Sequence, residues 1–372
     1  MPLISVWLPK VGITIPNEQG VDFHDPWDER GSMARQYDIV VSSPFSNYNF
    51  FAHKMRELCG QWSLNLFIVD DEWVKEFHQK LKAKEFSVKV LFDLTANQTI
   101  EDDLYLNLAR EVKRQGGTVI DDPDVTASVA HKGHFHQVLL ANRVPVPETI
   151  IVNRSELNSF RVTSEIRAKV GVPFVVKPAW GDSGVGVILN GYSEDELHES
   201  AAQAPNSDAF LVQKRLKMKK LGSHTGWFRM FHICGTVIPC WWDPVSHEYH
   251  LVTPTQIRNY KLNPLRRIMT SIAKVSKMKK FTSEICLHDD DKFYAVDYIN
   301  ADPDMNPRSF YANGVPDEVV RHIVWLLFYE AMSIIKKGQG FFDQDLLDSE
   351  ADADWLERRK REQRERDQSA GN

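Results

Sequence analysis

From Tyr37 onward, apolar positions gather into short runs separated by stretches with helical spacing. Asp38-Ile39-Val40-Val41, Asn65-Leu66-Phe67-Ile68-Val69, residues 87–94 and Thr118-Val119-Ile120 read as strands. Between them, Phe50, Phe51, Met55 and Leu58, then Trp73, Val74, Phe77 and Leu81, recur on one helical side. A third helix is predicted over 100–115. Strands alternating with helices of this length imply βαβ units and a mainly parallel sheet. A helix over 128–142 then runs into Val144-Pro145-Val146-Pro147, where prolines stop it and a lobe boundary is expected.

Beyond the prolines the pattern turns toward hairpins. Strands are predicted over 149–152, 174–177, 186–189 and 210–213, with helices over 155–169 and 194–204. Residues 227–242 and 292–299 are strand-rich and flank a helix over 264–278, and an amphipathic helix covers 317–337. Residues 1–36 give little beyond one strand and a long connection, and the charged tail 341–372 has no apolar stripe after Leu356.

Composition narrows the function classes. With 372 residues, 42% hydrophobic and 26% charged, the chain suits two or three packed lobes of a globular protein. A net charge of −6 argues against a dedicated nucleic-acid binder. No apolar stretch reaches the length of a membrane span, since Glu330 interrupts the longest candidate. Cys59, Cys234, Cys240 and Cys286 form no CxxC pair, so neither a disulfide framework nor a zinc site is expected, and a cytoplasmic location fits.

The candidate chemistry centres on Lys177-Pro178-Ala179-Trp180-Gly181-Asp182-Ser183-Gly184-Val185-Gly186-Val187. Gly181, Gly184 and Gly186 can expose backbone N–H groups to a polyphosphate, Ser183 adds a hydroxyl and Lys177 a cation. In a Walker A loop the lysine follows the glycines and opens a helix; here it precedes them and a strand follows, which leaves a hairpin lid.

With its flanking segments, this loop resembles the ATP-grasp proteins, the match running in order from about Ile120 to Asn306. His131-Lys132 before Leu139 to Pro147 resembles the entry to that core, which implies that Lys132 reaches the α-phosphate side of ATP. Phe174-Val175-Val176-Lys177-Pro178 resembles the strand with the second nucleotide lysine. Phe210-Leu211-Val212-Gln213-Lys214-Arg215-Leu216 is similar to the hinge strand, which implies that Gln213, Lys214 and Leu216 border the adenine. Trp227-Phe228-Arg229-Met230 resembles the strand that turns a basic residue toward the phosphates.

Glu284 and Asp297, thirteen apart across a predicted hairpin, can face each other and share Mg²⁺. The family pattern Glu-x-Asn is altered here to Asp297 with Asn300 three residues on, so Asn300 joins only if the strand ends or bulges; Asp302 or Asp304 is the alternative ligand. The triple aspartate 289–291 reads as a solvated hairpin tip, and the basic run 214–220 as either an anion-attracting or a solvated segment. Arg308 is a candidate for a substrate carboxylate. Many family ligases carry an arginine two residues before the first acidic ligand, where this chain has Thr282.

The resemblance implies an α+β architecture: an N-terminal parallel α/β domain over 1–125, then an ATP-grasp core over 126–340 with antiparallel sheets. Within that core a small lid lobe spans about 145–212 and a C-terminal lobe 213–340. It implies ATP with one or two Mg²⁺ ions (Mn²⁺ as the alternative), and ligation of a carboxylate to an amine through an acyl phosphate, with Arg229 and Arg308 at the reacting groups. A small-molecule kinase and a binding module without turnover are the other readings. The expected partner is a small anionic substrate, neither nucleic acid nor membrane, with a homodimer left open.

Overall fold

The computed structural model of the chain describes residues 35–43, 50–98, 100, 102–181 and 184–336. The expected strand at the N-terminus, Ser183 and the tail 341–372 lie outside the described residues.

The first segment runs β1 (Arg35–Ser42), α1 (Phe50–Gln61), β2 (Leu66–Val69), α2 (Val74–Lys82), β3 (Phe86–Asp93), α3 (Leu104–Arg114) and β4 (Thr118–Ile120). Its strands form one parallel sheet in the order β2-β1-β3-β4. Asp103 starts α3 by accepting the Leu106 N–H at 2.7 Å, a side-chain N-cap.

The expected single helix over 128–142 is two helices, α4 (Pro123–Ala130) and α5 (Lys132–Ala141). His131 breaks it: its backbone is extended, and its Nδ1 caps α5 by accepting the His134 N–H at 2.9 Å. Lys132 therefore opens a helix instead of lying within one.

The next segment comprises β5 (Thr149–Asn153), α6 (Ser164–Val170), β6 (Phe174–Pro178), β7 (Ile188–Gly191), α7 (Asp195–Gln203) and β8 (Ala209–Lys214), an antiparallel sheet ordered β5-β8-β6-β7. The helix expected over 155–169 shrinks to α6 after a 3-10 turn, because Glu156 folds back on the Asn153 N–H and Thr163 starts a new cap. Gly191 packs against the fully buried Phe174; a Cβ at Gly191 would lie 2.3 Å from its ring. Gly191→Ala is expected to destabilise the fold by about 1–3 kcal/mol, read from urea unfolding.

The last segment holds β9 (Lys220–Leu221), β10 (His224–Thr225), β11 (Trp227–Ile233), β12 (Thr236–Asp243), β13 (Glu248–Leu251), α8 (Pro254–Asn259), α9 (Asn263–Ser276), β14 (Lys280–Leu287), β15 (Phe293–Asn300) and α10 (Asp317–Ile335). Five of these strands make an antiparallel sheet ordered β13-β12-β11-β14-β15. The short α8, opened by a Thr253/Gln256 capping box, has no counterpart in the sequence reading.

Strand alternation sorts the cores. Phe231 and Ile233 of β11 pack with α10 and with Ile39, Val41 and Phe92 of the parallel sheet. The opposite face, with Phe228, Met230, Ile285 and Tyr298, packs on α9, on Phe135 and Leu139 of α5, and on Leu211 of β8. Among the described residues no helix is long and apolar enough to cross a membrane.

Candidate active site

Three adjacent strands set a charged row across the five-stranded sheet. Arg229 on β11 pairs in register with Glu284 on β14, and Glu284 with Asp297 on β15. Arg229 Nη1 lies 3.0 Å from Glu284 Oε1, and Trp227 Nε1–H donates to Glu284 Oε2 at 2.9 Å. Trp242 lies beneath the guanidinium, 5.0 Å from ring centroid to Cζ. Burial pushes the Glu284 carboxyl up against the pull of Arg229, and Asp297 adds to the rise.

Thr282 pairs with Asn300 while Glu284 pairs with Asp297, so two residues of β14 oppose a longer stretch of β15. That irregularity is a β-bulge, and it returns Asn300 to the side of Asp297. The Asp297 carboxylate has no ion pair or hydrogen bond of its own among the described residues. Asn300 Oδ1 accepts the Asp302 N–H at 3.2 Å. Glu284, Asp297 and Asn300 thus present hard oxygens on one side, with no closed cage of three or more His, Cys, Asp or Glu among the described residues. Such a set fits Mg²⁺, which keeps waters and phosphate oxygens around one or two carboxylates.

The lysines converge on the same region. Lys177 Nζ donates to Val296 O at 2.8 Å, on the strand that carries Asp297. Burial pulls its ammonium down despite the opposing charges of Asp297 and Glu284. Lys132 Nζ bonds to Gly181 O, and the Lys132 N–H donates to Ala179 O at 2.9 Å, which ties the start of α5 to the glycine loop. Gly184 and Gly186 hold φ of 75° and 73°, so this stretch is a turn, and β7 begins only at Ile188. A Cβ at Gly184 would meet open space, whereas one at Gly186 would press on Pro178 and Ala204. The positive φ favours glycine at both positions, and Gly186 is required by packing as well.

At the hinge, the buried Gln213 donates through Nε2 to Thr149 Oγ1 at 3.0 Å and to the Tyr298 hydroxyl at 3.1 Å. That hydroxyl lies 2.6 Å from His136 Nδ1. Burial, with Lys169 adding to it, lowers the His136 pKa to about 4, so the ring is neutral near pH 7. Lys214 N–H donates to Glu148 O at 2.8 Å, and Leu216 is buried just beyond β8.

Arg308 stands apart from the row. Its guanidinium bonds to Tyr249 O on the edge strand β13 and lines a cavity of about 480 Å³ with His224, Trp241, His250, Asp317 and Glu318. The basic run is not free either: Lys217 lies 3.4 Å from Asp289, and Lys219 pairs with Asp291. Two cations of the run thus pair with aspartates of the hairpin tip, while Lys220 bonds to the Thr225 hydroxyl. His131 Nε2 lies 3.0 Å from Asp208, which holds the ring that caps α5.

No protein-family model matches the chain, and no curated protein does. Solved structures do match. The D-alanine–D-alanine ligase from Bacillus anthracis, complexed with ATP, aligns with a TM-score of 0.56 at 12% identity, over 82% of this chain and 99% of that one. The ATP-grasp ligase PsnB, complexed with minimal precursor, Mg and ADP, aligns at 0.54 and 15% identity, over 80% and 98%. The chain has the ATP-grasp fold. An ATP-grasp RimK domain protein from Sphaerobacter thermophilus aligns at 0.50 and 17% identity, over 78% and 98%.

Within this ATP-grasp fold, several residues at the site carry no motif. Trp227 could have been found from alternation, which puts it on the Arg229 side two residues earlier. His136 and Tyr298 meet across 162 positions, and nothing local marks them as a pair. Thr282 is buried with its hydroxyl unpartnered, so no arginine side chain takes the place two residues before Glu284.

Proposed function

We propose that the chain is an ATP- and Mg²⁺-dependent ligase that joins a carboxylate to an amine through an acyl phosphate. The observation that carries this reading is the Arg229–Glu284–Asp297 row, with Lys177 bonded to the same strand and a bulge aligning Asn300. The ATP, ADP and Mg complexes named for the ligases of this fold support the same nucleotide and ion.

In this scheme Lys132, Lys177, Gly181 and Gly184 position the triphosphate, and Gln213, Lys214 and Leu216 border the adenine. Glu284, Asp297 and Asn300 would hold Mg²⁺, or Mn²⁺ in its place, which supplies charge neutralisation at the phosphates. The substrate carboxylate oxygen takes the γ-phosphoryl group and ADP leaves; the amine nitrogen then attacks the acyl carbon and expels phosphate. Arg229, ion-paired to Glu284 one strand from Asp297, offsets charge on the phosphoryl group. Arg308, on the cavity side of β13, would hold a substrate carboxylate.

The test is incubation with ATP, Mg²⁺ and pools of amino acids, hydroxy acids and polyols, followed by mass spectrometry. A product lighter by one water than its two substrates is the expected outcome. A phosphate adduct would instead establish a kinase on the same fold, the reading favoured by Thr282 in the arginine position. Nucleotide binding without any product would sink both.

A further inference from the structure

Alternation along β6 and β8 turns Lys177 and Gln213 to the same face of the lid sheet, since Val175 pairs with Gln213 and Lys177 with Leu211. Both side chains land on β15: Lys177 on the Val296 carbonyl, Gln213 on the Tyr298 hydroxyl. Gln213, Tyr298 and His136 are each 2% exposed or less, so water does not compete for these bonds. Their polarity follows from the amide nitrogen of Gln213 facing the phenol. The Gln213 amide can only donate through Nε2, so the phenol oxygen accepts, and the phenol proton goes to His136 Nδ1. One buried chain thus links α5, β15, β8 and, through Thr149, β5.

We propose that Tyr298 is a positioning residue for nucleotide binding: through Gln213 it fixes where the hinge segment 214–216 stands relative to Asp297, its neighbour on β15. This rests on the reading that the hinge borders adenine and that Asp297 serves the phosphates. The two attachments divide the labour. Lys177 holds the phosphate end of the lid to β15 without Tyr298, so loss of the Tyr298 hydroxyl loosens the adenine end, where the Ala295 N–H to Pro145 O bond remains. The lid then pivots about Lys177, and the adenine contacts lose register while the phosphate contacts stay.

The experiment is titration calorimetry of the full chain and its Tyr298→Phe variant with Mg·ATP and with Mg·tripolyphosphate. Tyr298→Phe is expected to bind ATP about tenfold more weakly, with tripolyphosphate affinity unchanged within about twofold. In turnover, KM for ATP should rise while kcat is retained. His136→Leu, which removes the acceptor that orients the same phenol, should reproduce the pattern if the phenol variant melts early. Equal losses for both ligands in both variants, or no loss for either, would overturn the proposal. A wild-type chain that binds neither ligand would overturn the nucleotide reading beneath it as well.

Discussion

Glu284→Gln is expected to lower ATP turnover by at least about a hundredfold while leaving the far-ultraviolet circular dichroism unchanged. The substitution keeps the side-chain volume and an oxygen for the Trp227 indole N–H, 2.9 Å away in the parent. It removes the charge that faces Arg229 at 3.0 Å and that a magnesium ion requires. Lys177→Ala should lower turnover comparably, since it withdraws the buried cation bonded to Val296 O. Full activity in both variants would remove the row from the chemistry. Arg229→Met behaves differently. It strands a buried carboxylate without its partner, so a loss of about 3–5 kcal/mol in unfolding free energy accompanies the loss of turnover. Denaturant titration of the three variants separates the two kinds of damage.

What the sequence carried and what it withheld divides along local and non-local lines. Alternating strands and helices before Ile120 yield the parallel sheet directly, because each element writes its own period. The Glu284/Asp297 opposition was also legible, as a hairpin fixes its register locally. Whether Asn300 could join was not: the sequence states only that a regular strand forbids it, and the bulge is a property of the pairing with β14. The break at His131 escaped the helical pattern because it depends on Asp208, distant in sequence, and on a side-chain cap at His134. Arg308, just after Asp302 to Pro307, reads in the sequence only as a candidate for a substrate carboxylate. Its bond to the Tyr249 carbonyl places it at the far edge of the sheet, past β12 and β13.

The second large effect concerns stability and pH. His136 has its pKa lowered from 6.5 to about 4, first by burial and then by the charge of Lys169 on α6. The folded chain therefore binds the His136 proton less readily than the unfolded chain does. Stability from this residue is complete above pH 6.5, falls as pH drops through the window down to about 4, and is lost below it. At about 1.36 kcal/mol per pH unit the full window corresponds to about 3 kcal/mol. His136→Gln keeps an oxygen to accept the Tyr298 proton and cannot titrate, so its unfolding free energy should decline less between pH 7 and pH 4.5, by about 2–3 kcal/mol. His78, His224 and His232, lowered by burial in the same sense, and Glu111, held near 2 by Arg114, are common to both proteins and cancel in the comparison. Parallel pH profiles would mean that His136 takes up its proton in the fold as readily as in the unfolded chain, and so is charged by pH 4.5. It could then no longer accept the Tyr298 proton, and the donor order from Gln213 to the ring would have to reverse.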